Sequence, residues 1–269
     1  NAAIGMDAQI WQRLLSAPDS LRQRVTLALS EIFVVGFDGV SNPWKQFKMA
    51  GYWDLLANNA FGNYRTLLEA ITLNPAMGLY LSSAGNQKGN AATGRQPDEN
   101  YAREVMQLFS IGLYELNADG SRKLDSQGKP IETYTQDTVT QLARVFTGWN
   151  VDSSPFDATP ELARRPMVLN AAQHSPLAST FLGVTVAANT EGTTALRITL
   201  DTLANHANVG PFIGRQLIQR LVTSNPSPAY VARVSAAFAN NGQGVRGDMR
   251  AVVRAVLLDA EARAGDNGG

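Results

Sequence analysis

The sequence predicts a mainly α fold, a multi-helix globular domain with a small β-hairpin and a partly stranded long loop. Three observations predict it. Apolar residues recur at three- and four-residue spacing through most of the 269-residue chain, in stretches bounded by capping residues and by Pro or Gly. That periodicity is lost between residues 150 and 192, where Pro155, Pro160, Pro166 and Pro176 punctuate the chain. Two turn-forming tetrads, Asn117-Ala118-Asp119-Gly120 and Asp125-Ser126-Gln127-Gly128, stand between two helical stretches and frame a hairpin closing near Thr133.

Met6 to Ser16 is a short helix ended by Pro18. Asp19 or Ser20 caps the next, where Leu21, Val25, Ala28, Leu29 and Ile32 recur at helical spacing. Near its end this helix is apolar almost all round except for Glu31. An acid so placed needs a partner, and a structural ion pair with Arg24, seven residues back, is expected. Pro43 opens a helix that Gly62 breaks, Asn63 caps the following one, and a short turn of helix begins at Pro75. The glycine-rich loop 84–96 has no large apolar residue and is therefore exposed. Pro97 suits the first position of a helix running to Gly112, with Asp98 and Glu99 in its first turn, where carboxylates complement the helix dipole. Thr135 caps the helix that follows the hairpin. Short β-prone pieces at 166–169 and 180–186 make the 150–192 excursion partly stranded. Helices resume at 194–205, 209–222, 227–240 and 247–259, and the tail, 265–269, is frayed. No internal repeat is evident.

The chain is long enough to bury a large core as a single helical domain. Its subregions are 1–149 (N-terminal helices plus hairpin), 150–192 (the excursion) and 193–264 (C-terminal helices). Lys+Arg and Asp+Glu balance at 23 each, so there is no net electrostatic pull toward nucleic acid. No apolar run approaches the roughly 20 residues needed to cross a bilayer. The absence of cysteine excludes disulfides and thiolate metal sites. With two histidines, no HExxH pairing, no phosphate-binding glycine loop and no GxSxG elbow, neither metal nor cofactor is expected. The chain opens at Asn1-Ala2-Ala3 without an initiator Met, which suggests a processed or truncated product.

Residues 97–149 concentrate carboxylates, amides and tyrosines. At about 100° per residue, Tyr101, Val105, Leu108, Phe109 and Gly112 form one apolar face. Glu104 lies at its border, flanked on the same stripe by Asn100 and Gln107. Asn117, Asp119 and Asp125 invite a calcium reading, but glycine and glutamate do not fall where an EF-hand loop needs them. His174, in the polar segment NAAQHSPLAST, is a candidate acid, base or substrate contact. His206, at a helix end, is read as structural. Arg215, Arg220 and Arg233 lie on late helices, and one facing the site would grip a carboxylate or phosphate.

The strings LRQRVTLALSEIFVV, NNAFGNYRTLLEAITLNPAMGLYL, PDENYAREVMQLFSIGLYEL, YTQDTVTQLARVFTGW and VGPFIGRQLIQRLV resemble the bacterial DUF1800 family, a domain of unknown function. The resemblance runs from about residue 21 to 263. It implies the central portion of a longer exported protein, periplasmic or secreted. Many family members carry Trp-His-x-His-Phe where this chain has Leu29-Ser30-Glu31-Ile32-Phe33, and a histidine in place of Asn59. A His-Asp pair with a following lysine is common where this chain reads His174-Ser175. Glu104 and His174 are retained. The loss of the other histidines lowers a metalloenzyme reading and leaves carboxylate chemistry or binding.

Two functions follow as expectations. One is a hydrolase or lyase acting on an extracellular or cell-wall glycan. Glu104 would be its general acid, with a second carboxylate from Asp98, Glu99, Glu115 or Asp119, and His174 would be a further candidate. Asn100, Tyr101, Gln107, Tyr114, Tyr134 and Trp149 would contact substrate, the aromatic ones by stacking on sugars. The alternative is a non-catalytic envelope or secreted module that binds a polysaccharide or a partner protein. A metal-dependent enzyme using His174 with carboxylates is a lesser alternative.

Overall fold

The computed structural model describes residues 5–41, 43–152 and 159–264. Expectations at 1–3, Pro155 and 265–269 lie outside the described residues. Among the described residues, twelve α-helices and two small antiparallel strand pairs make the protein mainly α. The N-terminal helices are α1 (Met6–Ser16), α2 (Ser20–Ile32), α3 (Lys45–Asn59), α4 (Tyr64–Thr72) and α5 (Pro75–Tyr80). Then come α6 (Asn100–Gln107) and α7 (Gln136–Ala143). After the strands follow α8 (Gly192–Asn205), α9 (Val209–Leu221), α10 (Pro228–Ala239), α11 (Met249–Leu258) and α12 (Ala260–Arg263).

Local chemistry sets most of these ends. Asn63 Oδ1 accepts from Arg65 N–H (2.9 Å), and Asn74 Oδ1 accepts from Ala76 N–H (2.9 Å) with Pro75 behind it. Thr135 and Thr138 close a reciprocal capping box at α7. Asp19 precedes α2 but makes no cap bond; its carboxylate takes the Gln23 amide instead (3.1 Å). The apolar faces bury one continuous cluster from Val25 in α2 to Val256 in α11. Its closest aromatic pair sets Tyr101 edge-on to Phe146, ring centroids 4.9 Å apart.

The 150–192 excursion packs back on this core. Strand β1 (Trp149–Asn150) pairs with β2 (Val168–Leu169), and β3 (Ser179–Phe181) with β4 (Val184–Val186). A 3-10 turn at Pro160–Arg164 lies against α3, where Arg164 meets Asp54 at 3.1 Å. Gly148 is what lets the excursion approach. Its φ is +89°, and a Cβ there would stand 2.9 Å from the Asn170 carbonyl and 3.0 Å from the His174 nitrogen.

Three expectations are corrected. Glu31 is exposed, because α2 turns that face outward, and its partner is Arg220 of α9 (3.5 Å) rather than Arg24. Helix α6 starts at Asn100, so Pro97, Asp98 and Glu99 precede it. The segment 113–133 is not a two-stranded hairpin. Its three extended legs close a triangle of backbone bonds: Lys123 N–H to Glu115 O (2.7 Å), Ile131 N–H to Lys123 O (3.1 Å), and Glu115 N–H to Ile131 O (2.8 Å). Two of these bonds join residues eight apart and the third joins residues sixteen apart, because a short eight-residue repeat, against the expectation of no internal repeat, sets the spacing. Leu116-Asn117-Ala118-Asp119-Gly120 answers Leu124-Asp125-Ser126-Gln127-Gly128, and both glycines have φ near +80°.

Candidate functional site

Helix α6 carries Glu104 half-buried at the edge of its apolar face. Its Oε2 is enclosed and has no hydrogen-bond partner. Burial raises the Glu104 pKa above the ordinary glutamate range, and the Arg103 guanidinium opposes that in part. Arg103 is itself committed elsewhere, to Glu99 (3.3 Å) and to Gln136 Oε1 (3.0 Å). One turn on, Gln107 Oε1 accepts from the Tyr134 hydroxyl (3.1 Å). Burial also raises the pKa of that hydroxyl; Arg103 opposes the effect, and Glu104 and Glu132 add to it.

Beside this stripe lies an open groove of about 510 Å³ between α6, the 113–133 triangle and α9. Leu108, Leu113, Leu116, Pro211 and Phe212 supply its apolar walls. Leu108 and Leu113 are 40% and 48% exposed, well above what a core leucine shows. Its polar lining comprises Gln107, Tyr114, Ser121, Arg122, Arg215, Gln216 and Gln219, with no carboxylate among them. Arg122 lies over the Tyr114 ring at 4.4 Å, and neither Arg122 nor Arg215 has an ion pair or side-chain hydrogen bond among the described residues. Phe212 packs its ring edge where a Cβ on Gly112 would fall, at 2.8 Å, so glycine with φ +72° is required there, five residues beyond the end of α6, where the helix was expected to run to Gly112.

The predicted residues fall into three groups. Gln107 and Tyr114 line the groove, and Glu104, Asn100 and Tyr134 adjoin it through α6 and the Gln107 bond. Asp98 and Glu99 act as structural acids. Asp98 Oδ1 takes the Asn100 N–H (2.8 Å), while Glu99 receives Gln136 Nε2 (2.7 Å) and Thr140 Oγ1 (2.7 Å), tying α6 to α7. Tyr101 and Trp149, expected as stacking faces, are core residues at 1% and 5% exposure, and the Tyr101 hydroxyl donates to Thr72 Oγ1 (2.7 Å). His174 Nδ1–H donates to the Thr147 carbonyl (2.9 Å), and no hydrogen bond joins it to Glu104 among the described residues.

Of the other acids considered, Glu115 pairs with Lys123 (3.3 Å), and Asp119 accepts from the Ser121 N–H (2.9 Å) and hydroxyl. His206 faces Glu115 at 3.6 Å, and burial lowers its pKa despite that neighbour. No cluster of three or more His, Cys, Asp or Glu that would hold a metal ion occurs among the described residues, and no helix among them is long and apolar enough to cross a membrane.

The groove residues that sequence reasoning missed are Leu108, Leu113, Arg122 and Phe212. The signal available was the triplet of leucines at 108, 113 and 116 around Gly112. Arg215 was singled out only as one of three arginines on late helices.

No curated protein and no solved structure matches the chain. The family model described as protein of unknown function (DUF1800) matches residues 4–269, and the chain belongs to that family.

Proposed function

We propose that this chain is a non-catalytic binding module of an exported protein, and that its groove between the 113–133 triangle and α9 receives a segment of a partner protein. The observation that carries this reading is the lining itself, exposed leucines beside two unpaired arginines with no acid. Glycoside hydrolysis needs two carboxylates facing each other across a substrate. Here Glu104 is outside the lining, while Glu99, Glu115 and Asp119 are engaged in structural bonds. A sugar would also need a bare aromatic face, but Arg122 covers Tyr114, and Phe212 packs against Gly112. Branched aliphatic walls suit peptide side chains.

The test is selection of random peptides displayed on ribosomes or phage against the immobilised protein, repeated on Leu113→Asp. The Leu113 side chain is exposed, so this variant keeps its fold, checked by an unchanged Tm. Enrichment on the wild type that vanishes on Leu113→Asp supports the reading. Enrichment indifferent to the substitution overturns it.

One observation favours a second reading, in which Glu104 is a general acid on a cell-wall glycan. Its enclosed, unpartnered Oε2 and raised pKa are what a proton donor needs near neutrality. Wild type and Glu104→Gln should then differ by roughly a hundredfold or more in hydrolysis of peptidoglycan or polysaccharides. Equal rates on every substrate would eliminate catalysis by Glu104.

A further inference from the structure

Resting on the binding reading above, we infer that the groove's occupant is an acidic peptide, one in which an Asp or Glu carboxylate stands beside a Leu or Phe anchor. The argument is an inventory of unfilled hydrogen-bond capacity. Arg122 and Arg215 are without ion pairs among the described residues. Both line the same groove, and the Arg215 stem passes over Gly120: a Cβ built there would lie 4.0 Å from Arg215 Cδ and 3.0 Å from Val231 Cγ1. Gly120, two residues before Arg122, thus makes room for Arg215 against the turn that carries Arg122. Gly120 has φ +78°, and a Cβ there would press on Val231.

The amides point the same way. Gln107 gives its Oε1 to Tyr134, which leaves its Nε2–H₂ as its unfilled end, and Gln216 Nε2 is enclosed without a partner. Ser121 spends its hydroxyl proton on Asp119 and accepts from Asn117 Nδ2, so it has no donor left to offer. Gln219 Nε2 donates to the Ser224 carbonyl (3.2 Å), and the unfilled acceptors of the lining, Gln219 Oε1, Gln216 Oε1 and the Tyr114 hydroxyl, are all neutral. The two guanidinium forks are the charged groups of a lining that holds no acid, and a carboxylate matches such a fork bidentately, with the Gln107 Nε2–H₂ as a further donor. The whole chain is charge-balanced, so this positive field is local to the groove. The exposed Leu108 and Leu113 make a bare ion insufficient as ligand, because they stay wet unless an apolar side chain enters with the charge.

The experiment uses peptides enriched from a ten-residue random library with blocked termini, labelled and titrated against the full chain by fluorescence anisotropy. Enriched sequences should carry Asp or Glu near Leu or Phe. Arg122→Ala/Arg215→Ala should weaken them at least about tenfold, as should Glu→Gln in the peptide, and the two changes together should add little beyond either alone. Raising NaCl to about 1 M should weaken wild-type binding toward that of the arginine variant. Both arginines are exposed and unbonded, so the variant's Tm serves as the folding control. Peptides that need Leu113 but lack acids, or ignore the arginines, overturn the acidic class while groove binding stands. Enrichment independent of Leu113 overturns both. A polyuronate retained by the wild type and released by the arginine variant, with no peptide enriched, overturns the peptide assignment in favour of an acidic glycan.

Discussion

Glu99, immediately before α6, and Glu104, within it, have opposite fates. Glu99 is satisfied by Gln136, Thr140 and Arg103, so Glu99→Ala should destabilise the fold by about 1–3 kcal/mol, read by urea denaturation. Glu104 is raised in pKa by burial, so the folded state prefers it neutral. For a group with a raised folded pKa, its favourable contribution is complete below the unfolded pKa and is lost as pH rises through the folded one. Glu104→Gln should therefore melt above the wild type at pH 7, with the gap closing as pH falls through the ordinary carboxylate range. A wild type that is the more stable at pH 7 would show Glu104 to be stabilised as an anion. Glu104's border position was legible from the helical wheel alone. The burial of Tyr101 and Trp149 was not: a tyrosine on an apolar face reads the same whether its hydroxyl reaches solvent or, as here, Thr72.

At the scale of elements, the helices were legible because their signals are local. Asn63 and Thr135 cap where they were expected to, and Pro and Gly break where they stand. The 113–133 triangle was not legible, since two turn tetrads imply a hairpin until backbone bonds across eight-residue intervals are known. Its anchor was hidden for the same reason. Asn208, fully buried at the α8–α9 junction, donates to the Ile111 (2.8 Å) and Tyr114 (2.8 Å) carbonyls and accepts from Leu116 N–H (2.9 Å). That single amide fixes the triangle, and with it one wall of the groove, to the helix that forms the other wall. Asn208→Ala strands three buried backbone groups and should cost about 2–4 kcal/mol. Amide exchange at Leu116 and Glu115 should accelerate more than in α4. Uniform acceleration across the chain would mean the triangle has no separate anchorage.

Across the whole molecule, the three subregions read from the sequence share one core, and the last helices are built into the first. Tyr64 N–H donates to Gly247 O (2.7 Å), Met249 N–H donates to Gly62 O (2.9 Å), and Asn63 Nδ2 donates to Arg246 O (2.8 Å). Arg65 reaches Asp201 at 2.7 Å, and the Tyr64 ring meets Phe238 edge-on at 5.3 Å. The Tyr64 hydroxyl then donates to Phe109 O (2.6 Å), at the end of the helix that bears Glu104 and Gln107. One tyrosine thus connects the C-terminal helices to the groove through buried bonds. A chain ending at residue 240 lacks α11, whose Met249, Val252, Val253 and Val256 are buried in the same cluster. It exposes the α3–α4 junction as well, and burying those four side chains contributes several kcal/mol, comparable with the net stability of a typical domain. The truncated chain should lose cooperative unfolding altogether, with tryptophan fluorescence and far-UV circular dichroism no longer changing together. A sharp transition retained in both signals would instead make the first 240 residues a self-sufficient unit and the groove independent of the C-terminus.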